Sequence, residues 1–139
     1  MTILRDTLRD ILIADTALMG YLSGGLHTGL EISRQNTPSA FNADGELRPC
    51  ALLKMELESP IPPHWYSTRA MFSVMLYQRF GYSIIEYARE RVYVLLHRQR
   101  FGSGMWEIHH TDDVNDTRDD AIDASLIICR FECIREKGL

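Results

Sequence analysis

The stretch from Cys50 to Gln78 constrains the chain most, because it carries two runs with the period of a β-strand on either side of a proline-rich break. In Cys50 to Glu58, Ala51, Leu53, Met55 and Leu57 fall on one face while Lys54, Glu56 and Glu58 fall on the other, the pattern of a half-buried strand. In Thr68 to Gln78, Ala70, Phe72, Val74 and Leu76 share one face and Met71, Ser73, Met75 and Tyr77 the other. Both faces of this second run are apolar enough to be covered, one by a helix and one by a neighbour. Between them, Ser59-Pro60-Ile61-Pro62-Pro63-His64-Trp65-Tyr66 has prolines that remove ladder donors, so it is predicted to be a long hairpin tip outside the sheet.

The flanks of this hairpin have helical period. Leu4, Leu8, Ile11, Leu12, Leu18, Met19 and Leu22 recur at threes, fours and sevens, which predicts a helix to about Leu22 with a break near Asp15. Ser83-Ile84-Ile85-Glu86 has the form of a capping box. It predicts a second helix ending near Arg98 to Gly102, with Ile84, Ile85, Ala88, Val92, Leu95 and Leu96 as its buried stripe. Residues 26 to 49 hold few large apolar groups and several turn formers, among them Gly29, Pro38, Asn42 and Gly45. They read as a long loop with a short strand at Leu30 to Ile32, and loops of such length are usually functional or ordered by a partner. Met105 to Thr111 and Ala124 to Arg135 close the chain as strands. The predicted fold is a single α+β domain over residues 1–139, an antiparallel sheet with helices packed on one face in the order α-(β)-β-β-α-β-β.

Composition narrows the function classes. With 139 residues, 45% apolar and 24% charged, the chain matches one globular domain. A net charge of -4 gives no dense basic patch to release counterions from nucleic acid or an anionic membrane. Arg5, Asp6, Arg9 and Asp10 interrupt the N-terminal apolar residues at amphipathic spacing, unlike a signal-peptide core. No apolar run reaches the ~18 residues of a membrane span, so no secretion signal and no membrane association are expected. Cys50, Cys129 and Cys133 are odd in number. Cys129 and Cys133 would lie about 13 Å apart along one strand, too far for a disulfide, and all three are read as reduced thiols.

The residues that could carry chemistry fall short of complete sites. From His109 to Asp120 the chain is rich in His, Asp and Asn, but a calcium loop begun at Asp113 fails at Arg118 and Ala124. The adjacent His109 and His110 of a strand would face opposite ways and could not serve one zinc ion. Asp112, Asp113, Asp116, Asp119, Asp120 and Asp123 are therefore read as a polar acidic loop between two strands. Pairings of Cys50 or Ser73 with His64 or His97 lack a nucleophile elbow, and Gly102-Ser103-Gly104 lacks the lysine of a phosphate-binding loop. No catalytic residue, metal or cofactor is assigned. Arg89, Arg91, Arg98 and Arg100 are interleaved with Glu86 and Glu90 and read as a solvated helix face. Trp65 and Tyr66 either fold back onto the sheet or anchor a partner, since exposed aromatics at a tip are typical interface anchors.

Several of these segments together resemble a known family. Leu4-Arg5-Asp6-Thr7-Leu8-Arg9-Asp10-Ile11-Leu12, then Asp15-Thr16-Ala17-Leu18, Leu22 and Gly24-Gly25, resemble the start of the tail terminator, or tail-completion, proteins of long-tailed bacteriophages. Arg48-Pro49-Cys50-Ala51-Leu52-Leu53, a strand ending in Tyr77, a helix bearing Tyr87-Ala88-Arg89, and Ala124-Ser125-Leu126-Ile127-Ile128 after an Asp-rich turn continue the likeness along nearly the whole chain. The resemblance implies a virion structural protein without enzymatic activity, assembled in the host cytoplasm and sited at the head-proximal end of the tail. It implies a homo-oligomeric ring, usually a hexamer, that caps the tail-tube protein and meets the head connector or neck protein. DNA would pass through without specific binding. In that setting Trp65 and Tyr66 are candidate interface residues, and the six aspartates a candidate channel or rim. The long 33 to 49 loop and the proline-rich tip depart from the family pattern. The competing readings are another neck or minor tail component, a small adaptor domain outside phages, and a small enzyme with a dispersed site.

Overall fold

The computed structural model describes residues 3–101 and 105–136, without the side chains of residues 64, 65 and 106. Helices α1 (Leu4–Ala14) and α2 (Thr16–Tyr21) lead through the short strand β1 (Leu26–His27) into a long connection, followed by β2 (Cys50–Ile61), β3 (His64–Gln78), α3 (Ser83–Leu96), β4 (Met105–Asp119) and β5 (Ala124–Glu136). The strands form one five-stranded sheet in the order β1-β2-β3-β5-β4. The class is α+β as predicted, but the sheet is mixed, because β1 pairs parallel to β2 through Leu26 and Ala51. No strand forms at Leu30 to Ile32.

The register explains the core. Across β2, β3 and β5 the rows Ala51, Leu76, Ile127 and Leu53, Val74, Cys129 lie side by side, with Phe72 between Met55 and Phe131 and Ala70 beside Cys133. These side chains point to the face that α1 and α3 cover with Leu4, Leu8, Leu12, Ile85, Ala88, Val92 and Leu96. Phe72 and Phe131 stack at 5.5 Å in the middle of that layer. Leu95 is only half-buried and Ile84 is exposed, so the stripe of α3 is one position narrower on each side than its period suggested. All three cysteines are buried thiols, and burial pushes Cys50 up to about 12 and Cys133 to about 11, well out of the reactive thiolate range.

The predicted break at Asp15 is real and has a clear cause. Asp15 has extended backbone and its carboxylate accepts the Leu18 N–H at 2.8 Å, capping α2. Arg91 of α3 makes two further bonds to the same carboxylate, at 2.8 and 2.6 Å. These Arg91 bonds, followed by the Leu18 N–H, hold the Asp15 carboxyl below its usual range against the opposing effect of burial.

The capping box does not form. Ser83 is the first helical residue and Tyr82 the cap, so the Ser83 hydroxyl sits one position too late to cap. Instead Gln78, at the end of β3, accepts the Ile84 and Ile85 N–H groups at 2.9 and 3.2 Å, and its amide nitrogen donates to the Phe80 carbonyl at 2.8 Å. This places the start of α3 directly over the end of the sheet. Gln78→Ala is expected to cost about 1–3 kcal/mol, the penalty of leaving buried donors without partners; a change within error in chemical denaturation would show that water replaces the amide.

The long loop folds on its own chain. Ile32, Ala40, Phe41 and Leu47 close a second apolar cluster over Cys50, Leu52, Tyr77, Ala124 and Leu126 on the sheet face away from the helices. Asn42 accepts the N–H groups of Asp44 and Glu46, both at 2.9 Å, and so shapes the turn. Gly24 anchors the return: its N–H donates to Pro49 at 2.8 Å, and a Cβ there would lie 3.0 Å from that of Cys50.

Candidate assembly interface

The proline-rich tip is more strand than loop. β2 and β3 stay paired to Ile61 and His64, joined by the two-residue turn Pro62-Pro63, which contains a cis peptide bond. Prolines are tolerated because β1 pairs only as far as Leu52, which leaves the rest of β2 an edge strand. A bulge between Met55 and Glu58 resets the alternation. Leu57 is thereby turned out to 67% exposure, and Glu58 moves to the helix side. There Glu58 accepts two bonds from Arg135, at 2.9 and 3.0 Å, and one from the Thr68 hydroxyl, a half-buried brace at the base of the projecting hairpin. Among the described side chains, Tyr66, at 49% exposure, and Leu57 are exposed apolar groups near the tip. The side chain of Trp65 lies outside the described residues.

The six aspartates do not form a loop. β4 continues through Asp112, Asp113, Asp116 and Asp119, and only Asp120 and Asp123 lie in the turn to β5. Aspartate is a poor strand residue in a sheet interior, but β4 is the outer edge, where charges and bulges guard an open ladder. Register shifts follow Met105, His110 and Val114, and Asp116 takes a left-handed backbone at φ 53° within the last of them. The carboxylates are also divided among partners. Asp112 pairs with Arg130 at 3.4 Å, Asp113 with His110 at 2.8 Å, and Asp120 and Asp123 with Arg118. By register the turn lies at the Gln78 end of the sheet and Tyr66 beyond its Ser67 end. About 36 Å of strand separates them, so the two candidate surfaces are distinct.

Sequence reasoning missed the junction of α3 with β4. Tyr82 donates its hydroxyl to the Thr117 carbonyl at 2.7 Å, Arg89 bonds Asn115 at 2.6 Å, and Tyr93 stacks on His97 at 4.6 Å and makes a T-shaped contact with His110 at 5.3 Å. Arg89 and Arg91, read from the sequence as a solvated face, are both engaged across elements. Beyond the helix, Arg98 turns left-handed at φ 62°, and residues 97 to 99 run along the edge of β4. The Arg98 N–H donates to Ile108 at 2.7 Å, the Ile108 N–H to Gln99 at 3.0 Å, and the His110 N–H to Nδ1 of His97 at 3.0 Å. The imidazole thus supplies the third rung of a short ladder. No single-sequence signal marks it, because the contact joins residues 13 apart through a bulged edge.

A cleft of about 250 Å³ lies among Arg100, Glu107, His109, Glu132 and Ile134. It is smaller than the ~300–1,000 Å³ typical of small-molecule sites. Among the described residues, no group of three or more His, Cys, Asp or Glu is placed to hold a metal ion, and no helix is long and apolar enough to cross a membrane.

Comparison with known proteins adds the fold's company. No protein-family model matches the chain, and no curated protein sequence does. Among solved structures, it is similar to a chain from the virion of a native gene transfer agent particle, with a TM-score of 0.64 and 12% identity over 96% of this chain and 94% of that one. At that identity the likeness establishes a shared fold and nothing finer.

Proposed function

We propose that this chain is a structural virion protein, a ring-forming tail terminator or tail-completion subunit that caps the head-proximal end of a phage tail tube and joins it to the head connector. The observation that carries the reading is the span of the fold likeness, nearly end to end in both chains, to a component of a virion. The resemblance of the sequence to tail terminators supports the position within the particle. Two well-separated exposed surfaces, the hairpin tip and the acidic end of β4, suit a subunit that meets different neighbours on different sides. Head-to-tail contacts between such surfaces close into a ring when the rotation permits.

Mass measurement across a concentration series, alone and with tail-tube subunits, tests this directly. A closed cyclic oligomer, expected as a hexamer, supports it. A strict monomer under both conditions, with turnover of a small substrate, would overturn it. A channel lined with carboxylates keeps passing DNA from sticking. Replacing Asp119, Asp120 and Asp123 by lysine is therefore expected to create nonspecific DNA binding whose logarithm falls with log salt by about 0.9 per phosphate neutralised. Binding left unchanged by the replacement would place this turn away from the channel.

A further inference from the structure

We propose that His97 is a proton-operated latch on the outer edge of β4: neutral, it holds residues 97 to 99 against that edge, and protonated, it lets the edge go. An imidazole can accept a hydrogen bond only while one ring nitrogen carries no proton, and Nδ1 of His97 accepts the His110 N–H at 3.0 Å. Neutral His97 therefore carries its proton on Nε2. A second proton converts the acceptor into a donor aimed at another donor, and the rung is lost.

The groups around the ring oppose a positive charge there. Arg98 adjoins it on its own segment, and Tyr93 covers one face from α3. From β4, the His109 ring lies edge-on at 6.1 Å, His110 lies across the rung, and Glu107 is an anion whose charge acts on His97. Glu107 is also drawn to His109, at 3.5 Å, while Asp113 is engaged by His110 at 2.8 Å. From β5, Phe131 packs edge-on to His110, and Glu132 pairs in register with His109. A proton on either neighbouring histidine adds a cation beside His97. Burial, then His109, His110 and Arg98, lower the proton affinity of His97 below that of a free imidazole, against the pull of Glu107.

The direction follows from linkage. A histidine held neutral in the closed form contributes its full stabilisation above the ordinary imidazole pKa of 6.5 and loses it as pH falls through that value. Proton uptake on opening makes the opening constant rise as pH falls, by at most about tenfold per pH unit for one proton. The released length is short, since the neighbouring rungs at Arg98 and Ile108 depend on the same turn.

Amide hydrogen exchange between pH 7.5 and 5, corrected for intrinsic rates, tests the latch. In the wild type the His110 and Ile108 amides are expected to lose protection as pH falls below about 6.5, by at most about tenfold per pH unit, while central amides of β3 stay protected. His97→Asn keeps an oxygen acceptor that cannot be protonated at these pH values, and its His110 protection is expected to vary less than about twofold. Parallel loss in both proteins would overturn the proposal, as would flat protection in the wild type. Should the variant not fold, the wild-type imidazole decides alone: nitrogen shifts showing the proton on Nδ1 at neutral pH, or a His97 titration above 6.5, would refute the latch.

Discussion

Truncating Phe131 to alanine is expected to cost about 3–5 kcal/mol, the range for removing a large aromatic from a packed core. Phe131 is 1% exposed, stacks on Phe72 at 5.5 Å and makes a T-shaped contact with His110 at 5.3 Å. It sits in the row that joins β3, β5 and β4 beneath the helices, so few neighbours can collapse into the space without breaking register. Total stabilities of about 5–15 kcal/mol are usual for domains of this kind, and a loss of this size leaves a marginal protein. Urea denaturation at constant m-value measures it. Phe80→Ala, at 69% exposure, is the matched control and should stay within about 0.5 kcal/mol. A Phe131 loss as small as the control's would mean that the two aromatic rings do not anchor the sheet.

For the proposed ring, replacing Trp65 and Tyr66 together by serine is expected to weaken ring formation or docking while the fold persists. Both residues belong to the part of β3 that precedes Ser67, where the register with β5 begins, so their backbone carries none of the β3–β5 rungs. The brace of Glu58, Thr68 and Arg135 ties the hairpin base to β5. Interface anchors of this type cost 2 kcal/mol or more when truncated, which is about thirtyfold in association for each interface. A ring multiplies that loss over its contacts. Wild-type and double-variant protein compared by mass across the same concentration range give the answer, with thermal midpoints close to each other expected. An unchanged ring would move the interface away from the tip. The exposed row formed by Ile84, Tyr87 and the stacked Tyr21 would then be the next surface to test.

The local period of the chain was enough to determine the α+β class, the four long strands, both helical regions and the break at Asp15. Each depends on a residue's near neighbours: alternation from Ala70 to Leu76, threes and fours from Leu4 to Leu22, a carboxylate three residues before the amide it caps. The candidate surfaces depended less on period. Trp65 and Tyr66 could be named from the proline-rich context, but whether that segment paired was decided by where β1 ends, which leaves β2 an edge able to tolerate proline. The aspartates from Asp112 to Asp119 look like a loop by composition and are strand because β5 offers them a ladder and bulges absorb the misfit.

Only the tertiary structure decided how the ends and edges are closed. Gln78 caps α3 in place of Ser83 because the end of β3 lies beneath the start of the helix. Ile32, Phe41 and Leu47, too sparse to announce a core, make one because the sheet presents Leu52, Tyr77 and Leu126 to them. His97 completes the edge of β4 because a left-handed turn at Arg98 sets its ring opposite His110. Periodicity reports which face of an element is buried, a property of adjacent residues. Caps, covers and latches are satisfied by whichever polar or apolar group the packed chain brings near, and that group is chosen by the fold as a whole.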